Sequence, residues 1–546
     1  MGQALPILMT LACIVLIVLL LVVWKKPAHI TGTIGLIAVG LVAMLFFETS
    51  LEVVVRSAGA GLIKSFSVSL IVATSLLQMA LMEKSGALKR IIIFIKTIAS
   101  ENKAVQIMLI NVGFGTLMVA VGATPVSLLP PILLAMGYST YVAIALPAIG
   151  YDSLCTYALL GAPIVVFVDM VNSFMKNAGL LAEGAEITLS QVGTLFAYFL
   201  PLTSIMIGMA MLWIIGRWQE MKKGLIPCLL TGITIGIISF FTSKFDNLVV
   251  LTGVLCGIGV IFMMLAYLNV TGKKIIDKQI LSEEELAYEK SFSLLKAISP
   301  WLILIIAILA LNIPQGIFDL LYRKWLMPIN GVSADNTPIN TRFLWNAYTW
   351  IFITTLVAIP ILRPTKAQLK DTVSTWVKRA PKPVFSAAIF FAIGEVMNMS
   401  GYSRIEMAFT SDSMIKLLAE SSANIFHGIY GGVATFIGLF GGFITGSEAS
   451  TIAMFGKYAM NTVTELGMSK VALILVTAGL AFGGGLASVI SPSKLQNAAA
   501  SIDRLGEENK VMRTALVFSL IFTTVTAIFT MILLRLIALK NEEDGS

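Results

Sequence analysis

The chain has 546 residues, 57% of them hydrophobic and only 12% charged, with a mean hydropathy of +0.90. Soluble domains carry about 25% charged residues, so this composition excludes a soluble fold and leaves a polytopic membrane protein with no separate soluble domain. The net charge of +8 sits mostly in short loops, where membrane orientation places Lys and Arg, and is no nucleic-acid signature.

Apolar stretches long enough to cross about 30 Å of hydrocarbon as helix recur along the chain. They predict spans over 5–23, 30–48, 66–83 and 104–121, then a broken region over 122–174. Further spans follow over 190–216, 225–243, 247–267, 298–320, 343–362, 383–400 and 425–445, then a second broken region over 446–504 and a last span over 513–539. Leu5–Val23 lacks a basic stretch before it and a small-residue cleavage site after it, so it reads as a span rather than a signal peptide. Cys13, Cys155, Cys228 and Cys256 lie in apolar runs with no metal or redox spacing and read as buried thiols.

The basic loops set the orientation. Lys25 and Lys26, the segment 84–103, Arg217 with Lys222 and Lys223, the loop 268–297 and the loop 363–382 all belong inside by the positive-inside rule. Threading them through the spans gives a multi-pass protein of the cell (inner or plasma) membrane with its N-terminus outside. Within 268–297, Ser282-Glu-Glu-Glu285 has the form of a capping box that opens a short surface helix. The polar stretch 322–342 reads as an outside loop.

Two stretches repeat the same landmarks in the same order. The first has Ser85-Gly86, Gly122-Ala-Thr-Pro125, Met136-Gly-Tyr-Ser139 and Gly161-Ala-Pro163; the second has Ser400-Gly401, Gly446-Ser-Glu-Ala449, Leu466-Gly-Met-Ser469 and Ile490-Ser-Pro492. The segment after Ser85-Gly86 is strongly basic, whereas 402–424 mixes Arg404 and Lys416 with Glu406, Asp412 and Glu420, which places the two on opposite sides. Inverted repeats with interrupted helices are the sequence sign of a secondary transporter. The expected fold is therefore all-α, with about 12–14 transmembrane helices in two inverted-topology repeats with broken or re-entrant helices. The domains are 1–65 as N-terminal spans, 66–216 as the first repeat, 217–382 as a connecting scaffold and 383–546 as the second repeat.

Broken helices free backbone groups at membrane depth, which is tolerated only where they are buried in protein or line a cavity. Interruptions are expected at Gly122-Ala-Thr-Pro125, Gly161-Ala-Pro163, Thr445-Gly-Ser-Glu448 and Gly483-Gly-Gly485 running into Ser491-Pro-Ser-Lys494. Helix N-termini at such breaks suit anionic groups, and nearby hydroxyls can hold a carboxylate and a hydroxyl without a fixed charge. The candidate substrate-binding residues are Thr124, Pro125, Ser153, Thr156, Thr445, Gly446, Ser447, Ser450, Ser491, Pro492, Ser493 and Lys494. An ionisable group at membrane depth is a functional candidate by its cost alone: Asp152, Glu448, Lys494 and Glu395 qualify. Burial favours the neutral form of a carboxyl group, as proton coupling requires, so Asp152 and Glu448 are the proton-coupling candidates. Small residues at helix–helix contacts explain many such hydroxyls equally well. With no nucleotide-binding loop, metal-spaced His/Cys set or Ser/His/Asp set, neither an enzyme nor an ATP-driven pump is expected, and no cofactor or metal.

The second repeat resembles the L-lactate permease family. Phe443-Ile-Thr-Gly-Ser-Glu-Ala-Ser450 is similar to that family's Phe-Leu-Thr-Gly-Ser-Asp-Thr-Ser, and Val489-Ile-Ser-Pro492 with Gly506-Glu-Glu to its Met-Ile-Ser-Pro and Gly-Lys-Glu-Ser. Gly122-Ala-Thr-Pro125 and Gly161-Ala-Pro163 fall where the family has Gly-Phe-Gly-Ala-Pro and Gly-Ile-Pro. The resemblance implies symport of a small organic anion, a 2-hydroxy monocarboxylate such as lactate or glycolate, with protons. It also implies an elevator-like, often homodimeric carrier. The chain departs from the family at Thr116-Leu117-Met118, where an acid is expected, and at Lys494 and Gln496. The added cation keeps a dicarboxylate, sugar acid or sulfonate open as substrate, with sodium open as coupling ion and a passive anion channel as the different-class reading.

Overall fold

Twelve helices are long and apolar enough to cross a membrane among the residues described, with Thr140–Gly150 and Ala347–Leu362 as shorter apolar helices. The computed structural model describes residues 4–99, 102–123, 125–182, 184–504 and 506–544, excepting the side chains of 22, 127, 151–153, 488, 492, 493 and 540–544. Helix dominates because only a helix or a closed barrel satisfies its own backbone in hydrocarbon. The described strands are two short antiparallel hairpins, Pro328–Ile329 with Ile339–Asn340 and Tyr402–Ser403 with Ala408–Phe409. The first lies in the stretch expected to be a loop.

The bundle has two ends, each marked by a polar contact between helices or their connections. Leu51–Lys64 and Phe66–Lys84 run on with only Ser65 between them, about 50 Å at 1.5 Å per residue. At one end, Thr49 Oγ1 accepts from Gly401 N at 2.9 Å; this is the Ser400 end. At the other, Arg379 binds Glu83 at 2.8 Å, just before the helix Pro381–Met399 returns to Ser400; this is the Lys84 end. Ser85-Gly86 and Ser400-Gly401 therefore sit at opposite ends, as their charge patterns predict.

Each landmark set builds a helical hairpin entering from its own end. The first runs up Lys103–Ala120, turns at Gly122 (φ 87°) and returns along Pro125–Ala135. Its base lies at the Lys84 end, where Gln106 donates to Ile98 O and Tyr138 donates to Gln106. The second runs down Tyr430–Thr445, turns at Gly446 (φ 69°) and returns along Glu448–Glu465. Its base lies at the Ser400 end: Ser400 Oγ accepts from Met414 N, and Tyr458 donates to Ser422 of the same Met414–Phe426 helix. After each hairpin comes a broken helix. Thr140–Gly150 passes through a 3-10 turn, Tyr151–Tyr157, into Ala158–Asn177, and Lys470–Ala487 passes through Ser488–Ile490 into Pro492–Ala500.

One expectation needs correction. Gly483-Gly-Gly485 does not interrupt its helix, which is continuous to Ala487; the break falls at 488–491. These glycines serve packing instead. A Cβ at Gly483 would overlap Thr435 O, and Cβ atoms at Gly438 and Gly442 would overlap the carbonyls of Leu480 and Gly484. Small residues let helices approach to van der Waals contact in a solvent that offers no hydrophobic drive. The spans expected over 190–216 and 225–243 form two helices that meet at a kink within Leu189–Thr242, where Gly216 and Arg217 leave helical geometry, the second helix starting before 225. The intervening Glu, Lys and Met are strong helix formers, and the Arg217 guanidinium stacks 3.8 Å from the Trp213 ring.

The capping box at Ser282 and Glu285 forms as expected and opens the helix Glu283–Ser291. That helix clamps the Lys84 end through Lys89–Glu284, Arg90–Glu289 and Lys96–Glu285, the last at 2.5 Å. Partial burial works against ionisation of Glu285, but Lys96 and the Ser282 amide hold its carboxyl below the usual glutamate range. A carboxyl lowered in the folded state stabilises above its unfolded pKa, and that contribution fades as pH falls through the folded value. The protection factors of amides 283–291, taken relative to the intrinsic exchange rate at each pH, are thus expected to fall on acidification from neutral pH to below the usual glutamate range. Protection unchanged there would show that the clamp does not depend on this carboxylate.

Candidate functional site

The second hairpin turns because Gly446 alone can take its left-handed conformation without a Cβ penalty. Ser447 then leaves the turn extended (φ −149°, ψ 133°) and caps the returning helix, its Oγ accepting from Ser450 N at 3.4 Å. Thr445 Oγ1 accepts from Ser447 N and lies 3.2 Å from Thr451 Oγ1, which donates to Ser447 O at 2.8 Å. The tip is thus knitted by its own hydroxyls, so Thr445 and Ser447 hold the turn in shape.

Glu448 is the first residue of that helix and is 4% exposed. The helix N-terminus favours a negative charge there, while burial opposes it. Its Oε1 accepts from Thr156 Oγ1 at 2.7 Å, and Thr156 is fully buried. Thr156 lies in the 3-10 turn of the first broken helix, so the link joins the two repeats across 292 residues. A Cβ on Gly485 would lie 2.7 Å from Glu448 Oε2 and overlap Cys155 Sγ. The glycine therefore lets three elements converge on one carboxyl group.

The first broken helix carries strain beside this point. Leu159 (φ 53°, ψ 45°), Leu160 (φ 54°, ψ 42°) and Gly161 (φ 77°) are consecutive left-handed residues. Each non-glycine residue there costs about 1–2 kcal/mol. Such strain concentrates at functional segments, and here it swings the chain into the helix that Pro163 continues.

The remaining candidates form a second group. Pro125 opens the returning arm of the first hairpin, and Ser491, 2% exposed, precedes Pro492–Ala500. Leu495 and Ala498 of that helix pack with Val126 and with Ala145 and Ala148, so each repeat's hairpin faces the other's broken helix. Lys494 is partly buried at the start of Pro492–Ala500, its amide bonded to Ser491 O at 3.1 Å. Thr124 lies outside the described residues, as do the side chains of Asp152, Ser153, Pro492 and Ser493. Among the described residues no His/Cys/Asp/Glu group could hold a metal ion.

Sequence reasoning passed over Asn111. It lies fully buried in the π-helical turn Met108–Phe114 of the first hairpin, against Gly150, and neither amide atom has a hydrogen-bond partner. Ser450 Oγ is in the same position one turn into the second hairpin. Each unsatisfied buried group costs about 1–3 kcal/mol, and π-turns recur at functional sites. A lone Asn in an apolar run was the visible signal; the local π geometry that buries it was not.

The L-lactate permease family model matches residues 6–537. The chain is 23% identical to the glycolate permease of Escherichia coli (strain K12) over 571 residues, covering 97% of this chain and 96% of the relative. It is 22% identical to the L-lactate permease of Bacillus subtilis (strain 168), covering 91% of each. The L-lactate permease of Escherichia coli (strain K12) is 21% identical over 79% of this chain and 78% of the relative.

Proposed function

The chain belongs to the L-lactate permease family, and from that premise we propose that it is a secondary active transporter of lactate, glycolate and similar 2-hydroxy monocarboxylates, moved together with protons. The observation that carries the reading is the Thr156–Glu448 hydrogen bond, 2.7 Å long and buried, at the tip of one hairpin and the break of the opposite helix. A protonatable carboxyl is thereby set among hydroxyls and helix N-termini, groups that suit the carboxylate and hydroxyl of a small acid. Glu448 and Asp152 are assigned to the proton. Thr124, Pro125, Ser153, Thr156, Thr445, Gly446, Ser447, Ser450, Ser491, Pro492, Ser493 and Lys494 are assigned to the substrate or to shaping its site.

Residues 66–216 and 383–546 would form the two repeats, 1–65 the N-terminal spans and 217–382 the scaffold. The Ser400 end and the N-terminus would face outside, and the basic Lys84 end the cytoplasm. Lys494 favours one second reading, a substrate with more negative charge such as a dicarboxylate or sulfonate.

Uptake of labelled L-lactate into proteoliposomes holding the purified protein is expected to saturate, to rise with an inward proton gradient and to be inhibited by unlabelled glycolate. Absence of uptake with and without the gradient would reject lactate as substrate. Uptake that does not saturate and supports no counterflow would point to a channel.

A further inference from the structure

Between the spans Ala347–Leu362 and Pro381–Met399 the chain builds a helix, Lys366–Arg379, that the hairpin tips do not use. Arg363 turns the chain in the left-handed conformation (φ 52°), and Thr365 with Gln368 closes a capping box that starts the helix. Ala380 alone separates its end from the next span. Arg379 binds Glu83, which puts the helix at the Lys84 end. Both flanking spans expose large apolar side chains close to it, Leu356, Val357 and Ile361 before it and Phe385 after it. On a spanning helix such surface faces hydrocarbon, so Lys366–Arg379 is held at the boundary of the bilayer.

One face of this helix is covered by protein. Thr372 is buried, and Trp376 Nε1 donates to Ala73 O at 2.8 Å, which pins the helix to Phe66–Lys84. Another face is exposed. Lys366, Lys370, Val373 and Val377 follow one another at intervals of four, three and four residues, so at about 100° per residue they share one strip. Val373 is 53% and Val377 56% exposed. Arg363, Lys378 and Lys382 are exposed at the ends of the helix.

These five cations make no ion pair among the described residues, and Asp371 is the one carboxylate between 363 and 382. The helix packs on Phe66–Lys84 and Pro381–Met399. The one acid of the former, Glu83, is shared by Lys84 and Arg379, and the one acid of the latter, Glu395, is bound by Lys64. Asp371 alone is thus left to oppose the five.

We propose that the exposed strip of Lys366–Arg379 is a binding surface for anionic phospholipid, with its lysines on the headgroup phosphates and Val373 and Val377 seated at the headgroup–acyl boundary. This goes beyond the transport reading and needs only that the chain crosses a bilayer. An amphipathic basic helix lies in the interface by burying its apolar groups there, while long lysine stems carry their charges to the headgroups. Basic clusters next to a spanning helix attract anionic lipid. Inorganic phosphate could meet the lysines but would leave both valines in water. A second copy of the chain fits poorly, because a two-fold contact uses the same patch on both subunits and would bring two basic strips together.

The test is the melting temperature of the detergent-purified protein with added dioleoylphosphatidylglycerol or dioleoylphosphatidylcholine. The phosphatidylglycerol is expected to raise it by about 3 °C or more beyond the phosphatidylcholine. The triple variant Lys366→Gln, Lys370→Gln, Lys378→Gln should lose most of that difference. A control triple variant, Lys273→Gln, Lys274→Gln, Lys290→Gln, removes as many exposed charges from the loop 268–297 and should keep it. No difference between the lipids in wild type, no loss in the first variant, or equal loss in both overturns the proposal. If the first variant does not fold, Val373→Glu with Val377→Glu decides: negative charge on the strip should erase the difference, and an unchanged difference overturns the proposal. The same shift produced by inorganic phosphate would assign the cations to a free anion, and a changed oligomeric mass in the first variant would assign the strip to a second copy; either result overturns the lipid surface.

Discussion

Glu448→Gln is expected to abolish the stimulation of L-lactate uptake by an inward proton gradient while leaving exchange of internal for external lactate largely intact. With one proton per monoanion, one pH unit supports about tenfold accumulation, equivalent to about 1.4 kcal/mol. That accumulation should fall to unity in the variant. The reasoning rests on what the substitution preserves. Glutamine keeps an oxygen that can accept from Thr156 Oγ1, now at 2.7 Å, and it fits beside Gly485. What it loses is the ability to alternate between charged and neutral forms. A carrier needs that alternation to couple protons to substrate, but not to swap one substrate molecule for another. Glu448→Asp should keep coupling with a weakened Thr156 contact, since it retains the carboxyl and only shortens its reach. Gradient-driven accumulation by the Glu448→Gln protein equal to wild type would move the proton site elsewhere, with Asp152 next to be replaced. Loss of exchange as well would instead mark Glu448 as a substrate ligand or as a support of the tip.

Much of this arrangement was legible in the sequence, for reasons that particular residues show. Gly122 and Gly446 mark the hairpin turns because only glycine adopts φ of 87° and 69° at no cost. The charge contrast between 84–103 and 402–424 marks opposite ends because short loops carry the orientation signal. Ser282 with Glu285 marks a helix start because the reciprocal hydrogen bonds need only local chain.

What escaped depends on contacts distant in sequence. Gly483-Gly-Gly485 looked like a helix breaker, since glycine is costly in an exposed helix interior. Its cost is offset here by close approach to Thr435 and Thr451 and by the room it leaves for Glu448. The pairing of Glu395 with Lys64 spans 331 residues and has no local signature. The link between Thr156 and Glu448 is of the same kind: both residues stood out as candidates, but only the crossing of hairpin and broken helix brings them together.

The packing behind the tip carries the second large expected effect. Gly442→Val should lower the thermal stability of the purified protein sharply, by more than about 3 kcal/mol, the upper part of the range for overpacked cores. A Cβ at Gly442 overlaps the carbonyl of Gly484, and Thr451 and Phe455 already crowd the neighbouring Gly441. No side-chain rotamer relieves a clash with backbone, so the helices Tyr430–Thr445 and Lys470–Ala487 must part. Separation would also carry Gly485 away from Glu448, so transport should fall even in whatever fraction remains folded. Gly432→Ala on the same helix is the matched control, because its Cβ would meet only Met531 and Ala527 at ordinary distances of 3.6 Å and beyond. Its melting temperature should stay close to wild type. Equal stability of the two variants would mean that the helices do not pack through their glycines. A stable Gly442→Val protein that has nonetheless lost uptake would mean that the glycine is needed for movement of the hairpin rather than for its place in the fold. The distinction matters because a carrier's hairpin must both seal against its neighbours and slide past them, and a smooth glycine surface offers close contact without interlocking side chains.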